Sequence, residues 1–244
     1  PEEMARTLPC LSVQYGDFAA WQSAWLPSVL ETQLVYWRGV LGKGGGPAVL
    51  DLPTDFVRPK VQTFRGASVT FRVDAAAALL TATRCQEVGA TMYMALLSTF
   101  GMVLSRNSRQ ESVCIGSPYA GRDEAGTRYL VGYFVNILAM VVEAAQSSSL
   151  DTTELLRQTR GTVLGAFEHS GVPFHRMVEA LNVERDASRT PVFQAMFTLQ
   201  DGIEGNDEDG HADDDVNESK RDGTAAKFEL DMGTVYSSRT GGLV

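Results

Sequence analysis

The chain has 244 residues, 44% of them hydrophobic and 21% charged, which is the composition of a globular domain able to bury a sizeable core. Its net charge of −9 is concentrated in residues 201–222, where ten acidic residues accompany Lys220 and Arg221, so the remainder carries −1 and offers no basic face for nucleic acid. No apolar run reaches the roughly 18 residues of a membrane span, and no secretion signal is recognisable at the N-terminus, so a cytoplasmic protein is expected.

The acidic run and the cysteines each have a plain interpretation. We expect residues 201–226 to form an acidic, disordered loop within the domain, because the alternative, a calcium site, lacks the EF-hand pattern. Cys10, Cys85 and Cys114 are widely spaced and form no CxxC pair, which predicts free thiols rather than disulfides or a zinc site.

The first third of the chain predicts helices joined by an extended segment. Asp17 is a candidate N-cap for a helix that Pro27 interrupts, and an amphipathic helix follows over residues 29–41. The two prolines within residues 50–59 predict an extended surface path. Alternation of apolar and polar residues over 66–73 predicts a strand.

Two adjacent helices and a strand are predicted next. Asp74 should cap a helix that runs to about residue 88, and Thr91 should open another over residues 92–105. The second helix is apolar almost all round, so we expect it to be deeply buried. Residues 111–116 predict a short buried strand.

A nearly uncharged run, Val131–Asn136 followed by Ile137–Val142, predicts a central strand buried on both faces. Asn136 is the polar side chain inside it, and unpaired amide groups there would cost about 1–3 kcal/mol. Asn136 must therefore bond to a neighbouring loop, a water molecule or a ligand. Gly132 would allow a backbone or a ligand to approach closely.

The remaining pattern completes an α/β class. Helices are predicted over residues 151–168 and 174–181, and strands over residues 192–199 and 226–232. Because helices and strands alternate irregularly, we expect a mixed sheet with packed helices.

A search for catalytic patterns is negative. The sequence contains no phosphate-binding glycine loop, no G-x-S-x-G elbow and no HExxH motif. Of the three histidines, His211 lies in the acidic run and His175 begins a short helix, where it should be exposed. His169 ends a helix, where a cation is favourable, and a role as general base is the alternative.

Four stretches together resemble the condensation domains of nonribosomal peptide synthetases, and they span about residues 10–235. They occur in the family's order, and they are Tyr15–Trp21 (YGDFAAW), Val131–Asn136 (VGYFVN), Val172–Phe174 (VPF) followed by Val178–Leu181, and Arg185–Pro191 (RDASRTP) followed by Val192–Gln194. The resemblance implies a fold like that of chloramphenicol acetyltransferase, with two α/β halves and a tunnel between them. It implies that carrier domains, each with a phosphopantetheine arm, bring a donor thioester and an acceptor amine that become joined by a peptide bond. No cofactor would bind the chain itself; its partners would be carrier domains, an adenylation domain and the other half of the fold.

The family's His-His-x-x-x-Asp-Gly active-site motif is absent from the 244 residues. The family carries it just upstream of the segment that begins here at Tyr15, so residues 1–244 resemble a partial condensation domain, namely the linker and the C-terminal half. Two further departures are Ile137, where the family commonly has Thr, and His175, where it has Glu. Both put the fine positioning of a substrate in doubt.

The resemblance also implies two sets of site residues. The substrate tunnel would involve Gly132, Phe134, Asn136, Ser117 and Arg122. The structural and interface set would be Arg185, Asp186, Ser188, Arg189, Asp17 and Trp21. None of these residues supplies a proton-transfer group of suitable pKa, so the chain alone is expected to be inactive.

Two alternatives stay open at this point. The chain could be a non-catalytic module that binds carrier domains or acts as a scaffold, or it could be an epimerisation or acyltransferase relative of the same fold. If half of the fold is missing, we also expect an exposed apolar face that causes self-association.

Overall fold

The computed structural model of the chain describes residues 11–42, 47–144, 151–183, 186–201 and 225–236. In these ranges the helices are α1 (Tyr15–Leu41), α2 (Ala75–Val88), α3 (Met92–Ser108), α4 (Thr152–Glu168) and α5 (Phe174–Leu181), and the strands are β1 (Ser112–Tyr119), β2 (Asn136–Glu143), β3 (Ala195–Asp201) and β4 (Leu230–Tyr236). Cys10, Arg185, His211 and most of the acidic run lie outside them, so the disordered loop stays a prediction.

The strands form one mixed sheet in the order β2-β1-β3-β4. β1 pairs with β2 in antiparallel fashion, whereas β1 with β3 and β3 with β4 are parallel. Helices α3 and α4 pack against β2, and α2 packs against α3 and α4. The expected α/β class, a mixed sheet with packed helices, is confirmed.

The prediction of a central strand over residues 131–142 is wrong in two respects. Regular strand begins only at Asn136, and β2 lies at the edge of the described sheet. Val131 and Tyr133 are 94% and 74% exposed, while Phe134 is buried. The uncharged run therefore consists of two parts, an irregular segment with one anchored side chain and then a strand, and composition alone cannot distinguish them.

Helix α1 differs from the prediction at its start and in its middle. Gln14 is the N-cap, and Asp17 lies three residues further on, where its carboxylate accepts a hydrogen bond from the Gln14 amide at 2.8 Å. The helix also continues through Pro27. Proline removes one backbone hydrogen bond, and burial of the following turns, centred on Trp37, offsets that loss.

The predicted caps of the next two helices are confirmed. The Asp74 carboxylate accepts from the Ala76 amide at 2.7 Å, and the Thr91 hydroxyl accepts from the Met94 amide at 3.2 Å. Helix α3 is less completely buried than expected, because Val103 is 48% exposed.

Strand boundaries are less accurate than helix boundaries. Residues 66–73 form no regular strand within the described ranges; Val73 takes part in an isolated bridge, and another joins Arg65 to Ala225. The last two strands begin later than predicted, at Ala195 and Leu230. A strand depends on the presence of a neighbouring strand, and the described part of the sheet offers none beside residues 66–73.

The two faces of β1 pack in different ways. Ser117 lies opposite Leu138 on one face, and the Ser117 hydroxyl meets helix α3. Gly116 lies on the other face, where a Cβ would approach the Phe193 ring to 2.3 Å. The missing side chain lets this ring lie directly on the strand.

No single described helix is long and apolar enough to cross a membrane. Helices α2 and α3 satisfy that length and composition only as a pair, and they are bent by 107° relative to each other.

Candidate functional site

The first two motif segments pack against each other. The Tyr15 hydroxyl donates to the Tyr133 carbonyl at 2.9 Å, and the Tyr15 ring meets Phe134 edge-on with centroids 5.2 Å apart. Phe18 lies 4.7 Å from the same Phe134 ring. A Cβ on Gly132 would lie 2.2 Å from the Tyr15 ring. Gly132 therefore allows the start of α1 to lie directly on the 131–135 segment.

Trp21 continues this aromatic row along α1. Its ring is tilted against Phe18 at 5.7 Å and stacked on Trp25 at 5.3 Å, with an interplanar angle of 15°. Trp25 in turn covers Gly171, where a Cβ would lie 2.7 Å from the indole. Trp21 itself remains 40% exposed, so it contributes packing and also presents an aromatic face to the outside.

Arg122 lies beside this aromatic group and is held by its own loop. Its guanidinium donates to the carbonyls of Thr127 and Leu130 at 2.6 and 2.9 Å. The same group lies 4.3 Å above the centre of the Phe134 ring, in a cation–π arrangement. Arg122 therefore fixes the loop that precedes the 131–135 segment.

Asn136 uses both ends of its amide. The Nδ2 group donates to the Ser170 and Val172 carbonyls at 2.9 and 2.8 Å. The Oδ1 atom accepts from the Ile137 and Phe174 amides at 2.9 and 3.1 Å. With two donors and two acceptor positions engaged, the amide has no free position for a substrate. The expectation that Asn136 orients a substrate through its own hydrogen bonds is therefore corrected. Asn136 instead holds the neighbouring loop at residues 170–174, which was one of the partners expected for a buried amide.

Ser117 does not line an accessible channel, contrary to expectation. It is 2% exposed, accepts from the Tyr93 hydroxyl at 2.7 Å and donates to the Phe197 carbonyl at 2.9 Å. Burial raises the pKa of Tyr93, and the bond to Ser117 opposes this effect. The serine satisfies a core tyrosine because its position in β1 points it toward α3.

The fourth motif segment forms a compact loop tied to the extended segment that begins near Leu50. The Asp186 carboxylate accepts from the Ser188 amide at 2.8 Å, and this bond, aided by the nearby Arg189, lowers the pKa of Asp186. Arg189 lies 4.0 Å from Asp186 and donates to the Leu50 carbonyl at 3.2 Å. Arg185 lies outside the described residues.

Two positioning residues were missed by sequence reasoning. The buried Gln194 accepts from the Leu50 amide at 2.7 Å and donates to the Thr190 carbonyl at 2.8 Å. The Trp37 indole donates to the His169 carbonyl at 3.0 Å. Gln194 could have been found, because a single polar residue in an apolar run was the same signal that identified Asn136. Nothing in the local sequence pattern indicates the partner of Trp37.

The two described histidines have separate environments. His169 stacks on Tyr36 with centroids 3.9 Å apart, and its Nδ1 atom contacts the Gly165 carbonyl at 2.8 Å. Burial, followed by the charge of Glu168, raises the pKa of Tyr36. His175 is exposed, as predicted. The described residues contain no group of three or more side chains suited to a metal ion.

An open groove of about 1530 Å³ lies between residues 53–71 and 225–235. Its rim carries highly exposed apolar side chains, with Phe56 87% and Val57 97% exposed. An ion pair between Arg58 and Glu229, at 2.6 Å, joins the two walls. Such exposed apolar surface is typical of an interaction face.

Comparison with known proteins agrees with this geometry. The family model described as "Condensation domain" matches residues 3–243. The chain is 40% identical over 194 residues to tyrocidine synthase 3 of Brevibacillus parabrevis, covering 79% of this chain and 3% of that synthase. It is 39% identical over 209 residues to surfactin synthase subunit 1 of Bacillus subtilis (strain 168), covering 84% of this chain and 6% of that subunit. Among solved structures, the X-domain from teicoplanin biosynthesis aligns with a TM-score of 0.74 and 22% identity, over 97% of this chain and 54% of that one.

The fold is therefore the α/β fold of condensation and X-domains. This chain spans about half the length of the X-domain structure that it matches. With the family model matching nearly its whole length, the chain belongs to the condensation-domain family. Its four motif segments form one connected region: the first two meet through Tyr15, Asn136 ties the second to the third, and Phe174 lies 5.3 Å from Phe193, which follows the fourth.

Proposed function

We propose that this chain is the C-terminal part of a condensation domain in a nonribosomal peptide synthetase. The complete domain would transfer a donor acyl group from its thioester to an acceptor amine and form a peptide bond. The observation that carries the proposal is the family match over residues 3–243 in a chain that spans about half of a solved relative of this fold.

The chain alone should not catalyse this reaction. Attack by an amine on a thioester is assisted by a group that removes or guides its proton. The sequence has no adjacent histidines. In the described part, His169 is held against Tyr36 and His175 stands exposed on α5. The missing half would supply the proton-transfer group.

The exposed side of the 131–135 segment is our proposed wall of the substrate tunnel. Val131 and Tyr133 project outward, whereas Phe134 is buried against α1 and the Tyr15 ring fills the space where a side chain on Gly132 would lie. Asn136 and Arg122 support this wall from behind through their backbone contacts. Ser117 does not belong to this wall, because it is buried in the core.

The groove between residues 53–71 and 225–235 is our proposed seat for part of the missing half. Its exposed aromatic side chains need cover, and the Asp186–Arg189 loop, with Ser188 at the groove's lining, braces one wall. Covering this surface is expected to require the complete domain. Light scattering tests this directly, since the chain alone should self-associate and a monodisperse monomer would argue against an unpartnered half.

The partners of the complete domain would be carrier domains and an adenylation domain, with the phosphopantetheine arms on the carriers. We propose that the chain itself binds no cofactor and that the assembly is cytoplasmic. The setting among further domains is supported by tyrocidine synthase 3 and surfactin synthase subunit 1, because this chain matches only 3% and 6% of their lengths.

The decisive experiment is a turnover assay with an aminoacyl carrier and a peptidyl carrier. The purified chain should give no dipeptide product, and the chain joined to the upstream half of its domain should give product. Product from the chain alone would overturn the proposal. No product from either would favour the second candidate, a non-catalytic scaffold, which the absence of paired histidines supports. Epimerisation by a related domain would appear in the same assay as inversion of the carrier-bound residue without bond formation.

A further inference from the structure

One buried residue has a backbone conformation that its side chain disfavours. Val192 has a φ of +71° and is 4% exposed. Its two neighbours are joined across it, because the Phe193 amide donates to the Pro191 carbonyl at 2.9 Å. This is a γ-turn with a positive central φ, which is rare and strained, and strained most for a β-branched residue.

The turn brings together the contacts that hold Leu50, at the start of the extended segment before α2. By reversing the chain at Val192, it places the Gln194 side chain within reach of the Thr190 carbonyl at 2.8 Å. The other end of that side chain accepts from the Leu50 amide at 2.7 Å, and Arg189 binds the Leu50 carbonyl. Both backbone groups of Leu50 are therefore fixed from the two sides of the turn.

The same turn reaches both walls of the groove. One wall follows Leu50, and it is tied again where the Gln62 amide donates to the Ala187 carbonyl at 3.0 Å. The other wall, residues 225–235, is tied at Glu229, whose amide donates to the Gln194 carbonyl at 3.1 Å. Strain of this kind persists only where surrounding contacts over-determine it.

We propose that Val192 is a positioning residue whose γ-turn fixes the two groove walls before the missing half of the domain docks. The turn, rather than the valine side chain, performs this role. The docking step rests on the function proposed above, whereas the control of the walls by the turn does not.

The first test compares two truncations at residue 192. Val192→Ala and Val192→Gly both remove the buried side chain, but only glycine adopts a positive φ freely. The folded-to-unfolded ratio should be about fivefold or more higher for the glycine variant than for the alanine variant. The matched control is Val113 in β1, which is 2% exposed in regular strand, and there the alanine variant should be the more stable.

The second test measures hydrogen exchange at the Leu50 amide, which donates to the Gln194 side chain, and at the Gln62 amide, which donates to the Ala187 carbonyl. Their protection should stay near that of the wild type in Val192→Gly and fall in Val192→Ala. Protection of the Ile137 amide, held by Asn136, should change only with global stability. Gln194→Leu keeps the turn but removes the side-chain contacts, so it should release Leu50 while Val192 stays buried.

The outcomes separate the two proposals. The positioning role is overturned if Val192→Ala is as stable as Val192→Gly or more stable. It is also overturned if exchange at the Leu50 and Gln62 amides is unchanged in Val192→Ala and Gln194→Leu. Binding to the separately produced upstream half is then measured for wild type, Val192→Gly and Val192→Ala, and only the last should bind more weakly. If the wild-type chain fails to bind while the exchange pattern holds, the docking function fails and the control of the walls by the turn stands.

Discussion

Replacing Asn136 by alanine removes the connection between β2 and the loop that leads into α5. The substitution deletes four hydrogen bonds, two donated to the carbonyls of Ser170 and Val172 and two accepted from the amides of Ile137 and Phe174. A net contribution of about 1 kcal/mol each, reduced because the half-buried site admits water, gives a loss of about 3 kcal/mol. For a chain of this size that corresponds to a drop of about 6–12 °C in Tm.

Thermal unfolding followed by circular dichroism is the assay, with Asn107→Ala as the matched control. Asn107 is exposed on α3 and makes one local bond to the Val103 carbonyl at 2.8 Å, so its loss should change stability by less than about 0.5 kcal/mol. Asn136→Asp turns a charged oxygen toward the Ser170 and Val172 carbonyls, so it should destabilise the fold at least as much as Asn136→Ala. Equal Tm values for Asn136→Ala and Asn107→Ala would refute the reasoning.

Two further predictions concern close packing and buried ionisation. Gly132→Ala places a Cβ against the Tyr15 ring and should lower the free energy of unfolding by about 1–3 kcal/mol in urea titrations. The control is Gly39→Ala, where a Cβ meets no atom within 4 Å, and it should leave the free energy of unfolding unchanged or raise it by up to about 1 kcal/mol. Equal effects of the two variants would contradict the close packing of Gly132 against Tyr15. Burial raises the pKa of Cys114 from 9.0 to about 12, so the neutral thiol should resist iodoacetamide at pH 8 until the chain unfolds, and rapid native-state labelling of its peptide would disprove that burial. Because this pKa is raised, its stabilising effect is present below pH 9 and is lost toward pH 12, a loss that should be smaller in Cys114→Ala.

Helices were predicted well because their signals are local. The Asp74 and Thr91 side chains cap the helices that follow them, and Gly89 ends α2 with a φ of +65°. Each of these features involves residues within one or two turns, so the sequence contains both partners. Pro27 is the exception, because tertiary burial of later turns overrides a local breaker.

Strands and site contacts were predicted less well because their partners are distant in sequence. The 131–135 segment has strand-like composition, but its position is decided by Tyr15, more than 100 residues away. For Asn136, burial required polar partners, and the particular carbonyls 34 and 36 residues away could not be identified. Ser117 was misassigned because family resemblance gives a sequence position, and only the strand register determines which face it occupies.

The hydrogen bond between the Leu50 amide and the Gln194 side chain also has a consequence for biosynthesis. The two residues are 144 positions apart. At synthesis rates of 5–20 residues per second, roughly 7–30 s pass between their addition to the growing chain. During that interval the segment around Leu50 has neither β3 nor the Val192 turn to hold it, and Leu50, which is 3% exposed in the complete fold, lacks these contacts. Long-range contacts of this kind slow folding, so we expect the nascent chain to depend on chaperones until β3 has left the ribosome.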